Sequence, residues 1–331
     1  MVTGLNLCGW IEVDGRRQSE AEIDALLEMS PASVSSFGGE FFLRWDDCSA
    51  RDRFGIVPGD SPPGAIVCDG IVVGSVDPRP PELGLASAIE TAVGLRSDEG
   101  VVALSGGVDS ALVAAIARRE CVVVGIEGSG DLERARSVAD LLRLKLEEAL
   151  IDPGRIEEAL VAVLSVIPSP NPVDASIAAT LYFVAEWASL HGHQRILAGQ
   201  GADELFGGYA RYLETTTLAA DLERDFSGLP LQLARDQAVA DLFGARFSLP
   251  YLDVRVVKAA QAMPSEEKVG GGIRKRPLRE VAAHFMPNEV AYREKKAMQY
   301  GSGVMREMKR LARRRGYKGV QKWLVKQHNF K

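Results

Sequence analysis

Two short glycine-rich segments place carboxylates directly after apolar runs, a pattern typical of phosphate-binding sites. The first is SGGVDS at 105–110, which follows the β-branched run 101–104. The second is GQGADE at 199–204, which follows the strand-like run 195–198. Glycine lets the backbone turn tightly and gather successive N–H groups, and a helix start adds the positive end of its dipole. Each segment is therefore a candidate site for a phosphate chain.

The first segment matches neither of the best-known phosphate loops, since no Gly-Lys-Ser/Thr follows its glycines and the spacing G-x-G-x-x-G is absent. A plainer interpretation is that Asp109 and Asp203 only cap the helices that follow them. Two carboxylates beside a triphosphate are, however, the ligands that Mg²⁺ prefers, with phosphate and water completing its shell. Because both aspartates follow glycine-rich strand ends in one domain, we favour the metal-binding interpretation.

The elements around these segments alternate in type. We predict strands near 101–104, 121–126 and 194–198, and helices near 110–119, 131–143, 174–190 and 203–213. This alternation favours an α/β fold with an open parallel sheet and helices on both faces, where ligands lie at the carboxyl ends of the strands. The chain beyond 213 reads as mostly helical, and 1–75 as a small, mainly β unit.

The 331 residues allow two domains with sizeable cores. The Pro-rich stretch 77–84 predicts a linker between a β unit at 1–80 and a nucleotide-binding domain at 84–331. No apolar run is long enough to span a membrane, and the first residues lack the order of a signal peptide. We therefore expect a cytoplasmic protein with no membrane partner.

The four cysteines, Cys8, Cys48, Cys68 and Cys121, are far apart and form no C-x-x-C pair. This spacing argues against a zinc site and against a disulfide framework, and it fits a reducing cytoplasm.

The net charge of −6 conceals an asymmetry along the chain. Residues 293–331 contain 13 Lys/Arg and two Asp/Glu, so the remainder is strongly acidic. A basic segment of this kind suits nucleic acid or a polyphosphate. We favour the alternative of a solvated amphipathic helix end with Leu311, Val320, Trp323 and Leu324 packed inward, because a basic stripe without an RNA-binding module is weak evidence for RNA.

The two glycine-rich segments, SGGVDS and GQGADELFGGY, resemble the signature segments of the asparagine synthetase family. That family belongs to the PP-loop ATP pyrophosphatases, which have an adenine nucleotide α-hydrolase-like fold. Supporting similarities are VVVGIEGSGDLERARSVADLL at 122–142, SLPYLD at 248–253 and YREKKAMQYGSG at 292–303. The resemblance covers roughly residues 84–305.

The resemblance implies site residues as well as a fold. It assigns Mg²⁺ to Asp109 and Asp203, and roles in the reaction to Lys295, Gln200 and Glu204. It assigns ATP binding to the following residues: Ala103, Leu104, Ser105, Gly106, Gly107, Asp109, Ser110, Val124, Gly199, Gly201 and Lys295.

The activity that the resemblance implies is an ATP-dependent amide ligation. A carboxylate attacks the α-phosphorus of ATP, pyrophosphate leaves, and an acyl-adenylate forms. Ammonia or an amine then attacks the acyl carbon, and AMP leaves. The partners are therefore a small carboxylate and a nitrogen donor, with ATP and Mg²⁺. A homodimer is one of the oligomeric states that the sequence leaves open.

Position 200 departs from the family, because asparagine-forming members have Glu where this chain has Gln200. Glutamine cannot act as a base, and loss of a general base costs about 10²–10⁴ in rate. Either Glu204, Tyr182 or Tyr209 replaces it, or the nucleophile needs no base, or the chemistry differs. The product therefore need not be asparagine.

The N-terminal segment carries a second resemblance. GGEFFLRWDDCSARDRFGIVP at 38–58 is similar to the end of a class II glutamine amidotransferase domain, and LCGWIEVDG is similar to its Cys-Gly start. The glutamine-binding segments of that domain are absent, and seven residues precede Cys8. We therefore expect a truncated structural remnant in which Cys8 is a buried core residue.

Two other functions remain open at this point. One is an RNA-modifying PP-loop enzyme, which the basic segment at 293–331 suggests. The other is a non-catalytic nucleotide-binding homologue, which Gln200 and the shortened N-terminal unit suggest.

Overall fold

The computed structural model describes residues 4–168, 170–294 and 301–328. Its strands, in chain order, are β1 Asn6–Val13, β2 Arg16–Arg17, β3 Gly38–Trp45, β4 Cys48–Arg51, β5 Ala65–Cys68, β6 Ile71–Ser75, β7 Val101–Ala103, β8 Cys121–Gly125, β9 Leu146–Leu150, β10 Arg195–Leu197, β11 Arg246–Ser248, β12 Val269–Gly270 and β13 Ile273–Arg274.

The α-helices that the structure describes follow the same order. They are α1 Glu20–Met29, α2 Leu85–Gly94, α3 Val108–Ala117, α4 Gly130–Leu142, α5 Ile156–Leu164, α6 Pro172–Leu190, α7 Ala202–Phe206, α8 Leu218–Ser227, α9 Leu229–Asp241, α10 Val254–Gln261, α11 Ser265–Lys268, α12 Arg276–Ala282, α13 Asn288–Ala291, α14 Val304–Arg314 and α15 Val320–His328. Among the described residues, no helix is long and apolar enough to cross a membrane.

The chain folds into two compact units. Unit 1 comprises Met1–Asp98, Gln200–Ala234 and Ser248–Pro277, and unit 2 comprises Glu99–Gly199, Arg235–Phe247 and Leu278–Lys331. The two domains expected from the sequence, 1–80 and 84–331, do not coincide with these units, because each unit combines three separate segments of the chain. The division at 80–84 therefore stays a proposal about the sequence.

Unit 1 is built around a six-stranded antiparallel sheet in the order β2-β1-β3-β4-β5-β6. Helix α1 begins at a capping box, in which Ser19 and Glu22 bond each other's backbone N–H, and it packs Ile23 and Leu27 against the sheet core. The small β unit predicted for the N-terminal segment is therefore present.

A buried ionic network connects the N-terminal strands of unit 1 to its SLPYLD segment. The Arg96 guanidinium donates to Glu40 at 2.7 Å and to Asp253 at 3.0 Å, and all three residues are buried. Glu40 also accepts from the Ser248 hydroxyl at 2.6 Å and the Leu249 N–H at 2.8 Å. Although burial acts to raise it, these partners hold the pKa of Glu40 below its usual range.

A second buried carboxylate organises the loop after β4. Asp52 is 1% exposed and accepts hydrogen bonds from the N–H groups of Phe54, Ile56 and Val57. Burial raises the pKa of Asp52 to about 6, an effect that these N–H donors oppose.

Two predictions about cysteines are wrong. Cys48 on β4 and Cys68 on β5 face each other in the strand register and form a disulfide, although no disulfide was expected. Cys8 lies exposed on β1 rather than in the core. Cys121 is a buried thiol, and burial raises its pKa to about 12.

Unit 2 is an α/β fold whose sheet has the order β11-β10-β7-β8-β9. The pairs β10–β7, β7–β8 and β8–β9 are parallel, and helices flank the sheet. The predicted parallel sheet is confirmed. The sequence analysis missed β9, since its residues LEEAL form no apolar run and are partly exposed.

A glycine ends the helix that was predicted over 203–213. Helix α7 stops at Phe206 because Gly207 adopts the left-handed conformation with φ 76°. The chain then forms a 3₁₀ helix at Ala210–Leu213.

Candidate active site

The first glycine-rich segment forms the connection from β7 to α3 in unit 2. Ala103 ends the strand, and Leu104 is buried and donates its N–H to Val122 at 2.9 Å. Helix α3 begins at Val108, two residues before its predicted start, and its cap residue is Gly107. Asp109, at 4% exposure, is thus the second residue of the helix. The capping interpretation of Asp109 is therefore wrong.

The Ser110 hydroxyl forms hydrogen bonds with the loop that precedes α3. Its hydroxyl accepts the Ser105 N–H at 3.1 Å, lies 3.1 Å from the Ser105 hydroxyl, and donates to the Gly107 carbonyl at 3.2 Å. The Ser105 N–H, which the resemblance assigns to phosphate, is thus bonded to Ser110 in this structure.

Gly106 is required by the packing of the loop. Its φ is 73°, and a Cβ built on it would lie 2.6 Å from Arg134 and 2.7 Å from the Ala135 nitrogen. Helix α4 therefore holds the loop at a distance that only glycine allows.

The second glycine-rich segment begins beside the first. β10 pairs with β7 through Ile196↔Val101 and Leu197↔Val102, so both strands end at one edge of the sheet. A Cβ built on Gly199 would lie 2.9 Å from the Asp109 Cβ and 3.1 Å from the Ser110 nitrogen. The prediction that the two strand ends share an edge is confirmed in unit 2.

The rest of the second segment lies in unit 1 and repeats the local design of the first. Gly201 caps α7 with φ 88°, and Asp203 is the second residue of that helix. A Cβ on Gly201 would lie 2.8 Å from Leu252. Asp203, like Asp109, is therefore no helix cap.

Lys275 is a neighbour of Asp203 that the sequence analysis missed. Its ammonium lies 2.5 Å from an Asp203 oxygen, and the side chain is 3% exposed. Gly208 packs against this pair, since a Cβ on it would lie 1.8 Å from that oxygen and 2.2 Å from the Lys275 Cε. Lys275 follows the short β12–β13 hairpin, and no motif in the sequence connects it with position 203.

Glu204 is the buried carboxylate of the second segment. It accepts hydrogen bonds from the Tyr209 hydroxyl and, at 3.2 Å, from Gln232. Burial and the nearby Asp203 raise the pKa of Glu204, and burial together with Glu204 raises that of Tyr209. The structure thus brings together two of the three residues considered as replacements for a base at Gln200, which is itself half-buried.

The third replacement candidate, Tyr182, has a different partner within unit 2. Its hydroxyl lies 3.5 Å from Glu158 on α5, and its ring packs against Phe183 and Phe243. Val124 is buried within β8. Lys295 lies outside the described residues.

The described acidic side chains do not form a metal site by themselves. Over residues 4–168, 170–294 and 301–328, no group of three or more His, Cys, Asp and Glu side chains is placed to hold a metal ion. Two carboxylates still suit Mg²⁺ when a polyphosphate supplies the remaining oxygens.

Comparison with known proteins agrees with these motifs. The asparagine synthase family model matches residues 84–243 and 227–322. A putative asparagine synthetase [glutamine-hydrolyzing] 1 of Methanocaldococcus jannaschii is 34% identical over 64% of this chain and 47% of its own length. Asparagine synthetase B of Escherichia coli is 27% identical over 61% of this chain and 41% of its own length.

A relative with another printed activity is the carboxyethyl-arginine beta-lactam-synthase of Streptomyces clavuligerus. It is 31% identical over 68% of this chain and 45% of its own length. This chain thus spans less than half the length of each of the three relatives. The family model, however, matches well over half of this chain, which therefore belongs to the asparagine synthase family.

Proposed function

We propose that this chain is an ATP-dependent amide ligase that forms AMP and pyrophosphate. A small carboxylate attacks the α-phosphorus of ATP, pyrophosphate leaves, and the acyl-adenylate is attacked by ammonia or an amine with release of AMP. The observation that carries the proposal is the contact of Gly199 with Asp109 within unit 2, because it places the first residue of the second signature segment beside the first segment at one sheet edge.

Phosphate binding is proposed for the loop 105–107 and the start of α3. The first N–H groups of a ten-residue helix point toward the loop, and the helix dipole favours an anion there. For the Ser105 N–H to bind phosphate, it must exchange its bond to Ser110 for one to the ligand.

Asp109 and Asp203 are the carboxylates that we propose for Mg²⁺. Each follows a glycine cap by two residues, and such oxygens match the preference of the ion. When bound, Mg²⁺ supplies charge stabilisation on the phosphates. Lys275, which contacts Asp203, is proposed as a cation for the pyrophosphate alongside Lys295.

Glu204 is proposed as the proton acceptor for the attacking nitrogen. A carboxylate with a raised pKa is a better base near neutral pH than an ordinary one. The Tyr209 hydroxyl orients it through their hydrogen bond. Gln200 is then limited to hydrogen bonding, which separates this site from the asparagine-forming members.

The test is nucleotide product analysis with Mg²⁺-ATP, a panel of small carboxylates, and ammonia or amines as nitrogen donors. We expect AMP and pyrophosphate, with Asp109→Asn inactive and the exposed control Asp140→Asn active. ADP as product, or no product while ATP binding is intact, would refute the proposal and favour a non-catalytic homologue.

The role of Glu204 needs a separate measurement. Glu204→Gln should retain ATP–pyrophosphate exchange, which reports adenylation, while amide formation falls by about 10²–10⁴. Loss of both activities to the same extent would assign Glu204 to structure or to adenylation instead of to proton transfer.

A further inference from the structure

Helix α14 presents a continuous row of basic side chains. Five residues with the spacing i, i+3, i+4, i+7 and i+8 are exposed, and we call them the basic face: Arg306, Lys309, Arg310, Arg313 and Arg314. This spacing places all five on one side of the helix. The row is about 12 Å long at the rise of an α-helix.

Further exposed cations follow the basic face along the chain. Arg315, Lys318, Lys322 and Lys326 are all exposed. Arg310 pairs with Glu307, and Arg315 pairs with Glu157. Within the described residues, the other four members of the basic face have no acidic partner at ion-pair distance. Most of the positive charge is therefore available to a partner.

The opposite side of α14 shows that the helix does not serve as a membrane anchor. Val304, Met305, Met308 and Ala312 are 0–5% exposed and belong to the interior of unit 2. A helix that binds in the membrane interface must offer its apolar face to lipid. Here that face is already buried, so only the charged side is accessible.

The chemistry of the basic face also distinguishes between polyanions. The core of a protein–protein interface is depleted in charged residues, and the exposed row has no apolar or aromatic member. A phosphodiester backbone requires only a high density of cations, and arginine binds phosphate through two parallel N–H donors. Over about 12 Å a duplex presents roughly seven phosphates, enough to supply one for each of the five cations in the row.

We propose that the basic face of α14 binds the phosphodiester backbone of a nucleic acid. This inference is independent of the proposed ligase activity, because none of its residues belongs to the candidate active site. The five cations contact phosphates and confer no sequence preference.

The salt dependence gives the size of the expected effect. With five phosphate contacts, the slope of log K against log salt is about −3.5 for a single strand and about −4.5 for a duplex. Affinity should therefore fall by roughly 10² to 10³ between about 50 mM and about 200 mM salt.

The experiment measures fluorescence anisotropy of a labelled RNA hairpin, a single-stranded oligonucleotide and a DNA duplex with the full chain. Arg313→Gln/Arg314→Gln should reduce the magnitude of the salt slope by about 1.4 for a single strand and about 1.8 for a duplex, and it should weaken binding at least tenfold. The matched control, Arg79→Gln/Lys258→Gln, removes two exposed cations elsewhere and should bind like the parent chain.

Three results would overturn the proposal. The first is absence of binding to all three nucleic acids at about 50 mM salt. The second is an equal loss in the control variant, which would indicate a nonspecific effect of net charge. The third is competition by polyglutamate, or binding to anionic vesicles, as strong as that of the nucleic acids. Strong competition by polyglutamate would assign the basic face to an acidic protein, and strong binding to vesicles would assign it to a membrane surface.

Discussion

Gly208 offers a direct test of the carboxylate that we assign to Mg²⁺. A Cβ at this position would lie 1.8 Å from an Asp203 oxygen and 2.2 Å from the Lys275 Cε. Ordinary contact needs at least 3.4 Å, so Gly208→Ala requires Asp203 or the loop to move by about 1.5 Å. The φ of Gly208 is not in the left-handed region, so the effect of the substitution is steric.

The size of the functional loss follows from this displacement. Misplacement of a reacting group by about 1 Å costs on the order of 10² in rate. We therefore expect Gly208→Ala to lower kcat for AMP formation at least 10²-fold. Overpacking of this kind costs about 1–3 kcal/mol of stability, so the variant should remain folded.

The assay compares AMP and pyrophosphate formation with the urea unfolding midpoint for the parent chain, Gly208→Ala and the control Gly94→Ala. Gly94 ends α2, and a Cβ there meets no atom within 4 Å. The control should retain full activity. A Gly208→Ala rate within threefold of the parent, in a folded protein, would show that Asp203 does not need its observed position for the reaction.

Three other predictions concern unit 1. Arg96→Met should destabilise it by about 3–5 kcal/mol in urea unfolding, because the buried Glu40 loses its ion pair with Arg96, while Asp253 keeps Arg255. Adding Glu40→Gln should cost less than the sum of the single changes, and additive costs would contradict this reasoning. The pKa of Asp52 is raised to about 6 in the folded state, so the free energy of unfolding should fall by about 3 kcal/mol as the pH rises from about 4 through 6. If Asp52→Asn leaves this pH dependence of the unfolding free energy unchanged, the prediction is wrong. Thiol titration in denaturant without reductant should detect two of the four cysteines, and four reactive thiols would show that the Cys48–Cys68 bond does not form. Reduction of this disulfide should lower the free energy of unfolding by about 3 kcal/mol.

The sequence predicted β7, β8 and β10 of the unit 2 sheet because their signals are local, and it missed the two edge strands β9 and β11. The buried runs that became β7, β8 and β10 are mostly apolar and lie close to a glycine, and α4 and α6 are rich in alanine and leucine, which favour helix. The shared edge of β7 and β10 followed from the rule for parallel sheets. Local patterns were therefore sufficient for the part of the candidate site that lies in unit 2.

Features that depend on long-range register could not be predicted in this way. Cys48 and Cys68 are 20 positions apart, and only the antiparallel pairing of β4 with β5 brings them together. Lys275 reaches Asp203 through a short hairpin whose strands have two residues each. The exposed position of Cys8 depends likewise on which face of β1 packs on the core.

Two glycines of the signature segments are required by packing against the aspartates, and not only by phosphate binding. Gly199 and Gly208 have φ values that any residue can adopt, yet neither has room for a Cβ beside its aspartate. Gly199 lies against Asp109 in unit 2, and Gly208 lies against Asp203 in unit 1. In both places glycine, which has no Cβ, allows the backbone to approach the aspartate closely. If these carboxylates bind Mg²⁺, the glycines act as positioning residues, and alanine at either should impair the reaction more than it impairs folding.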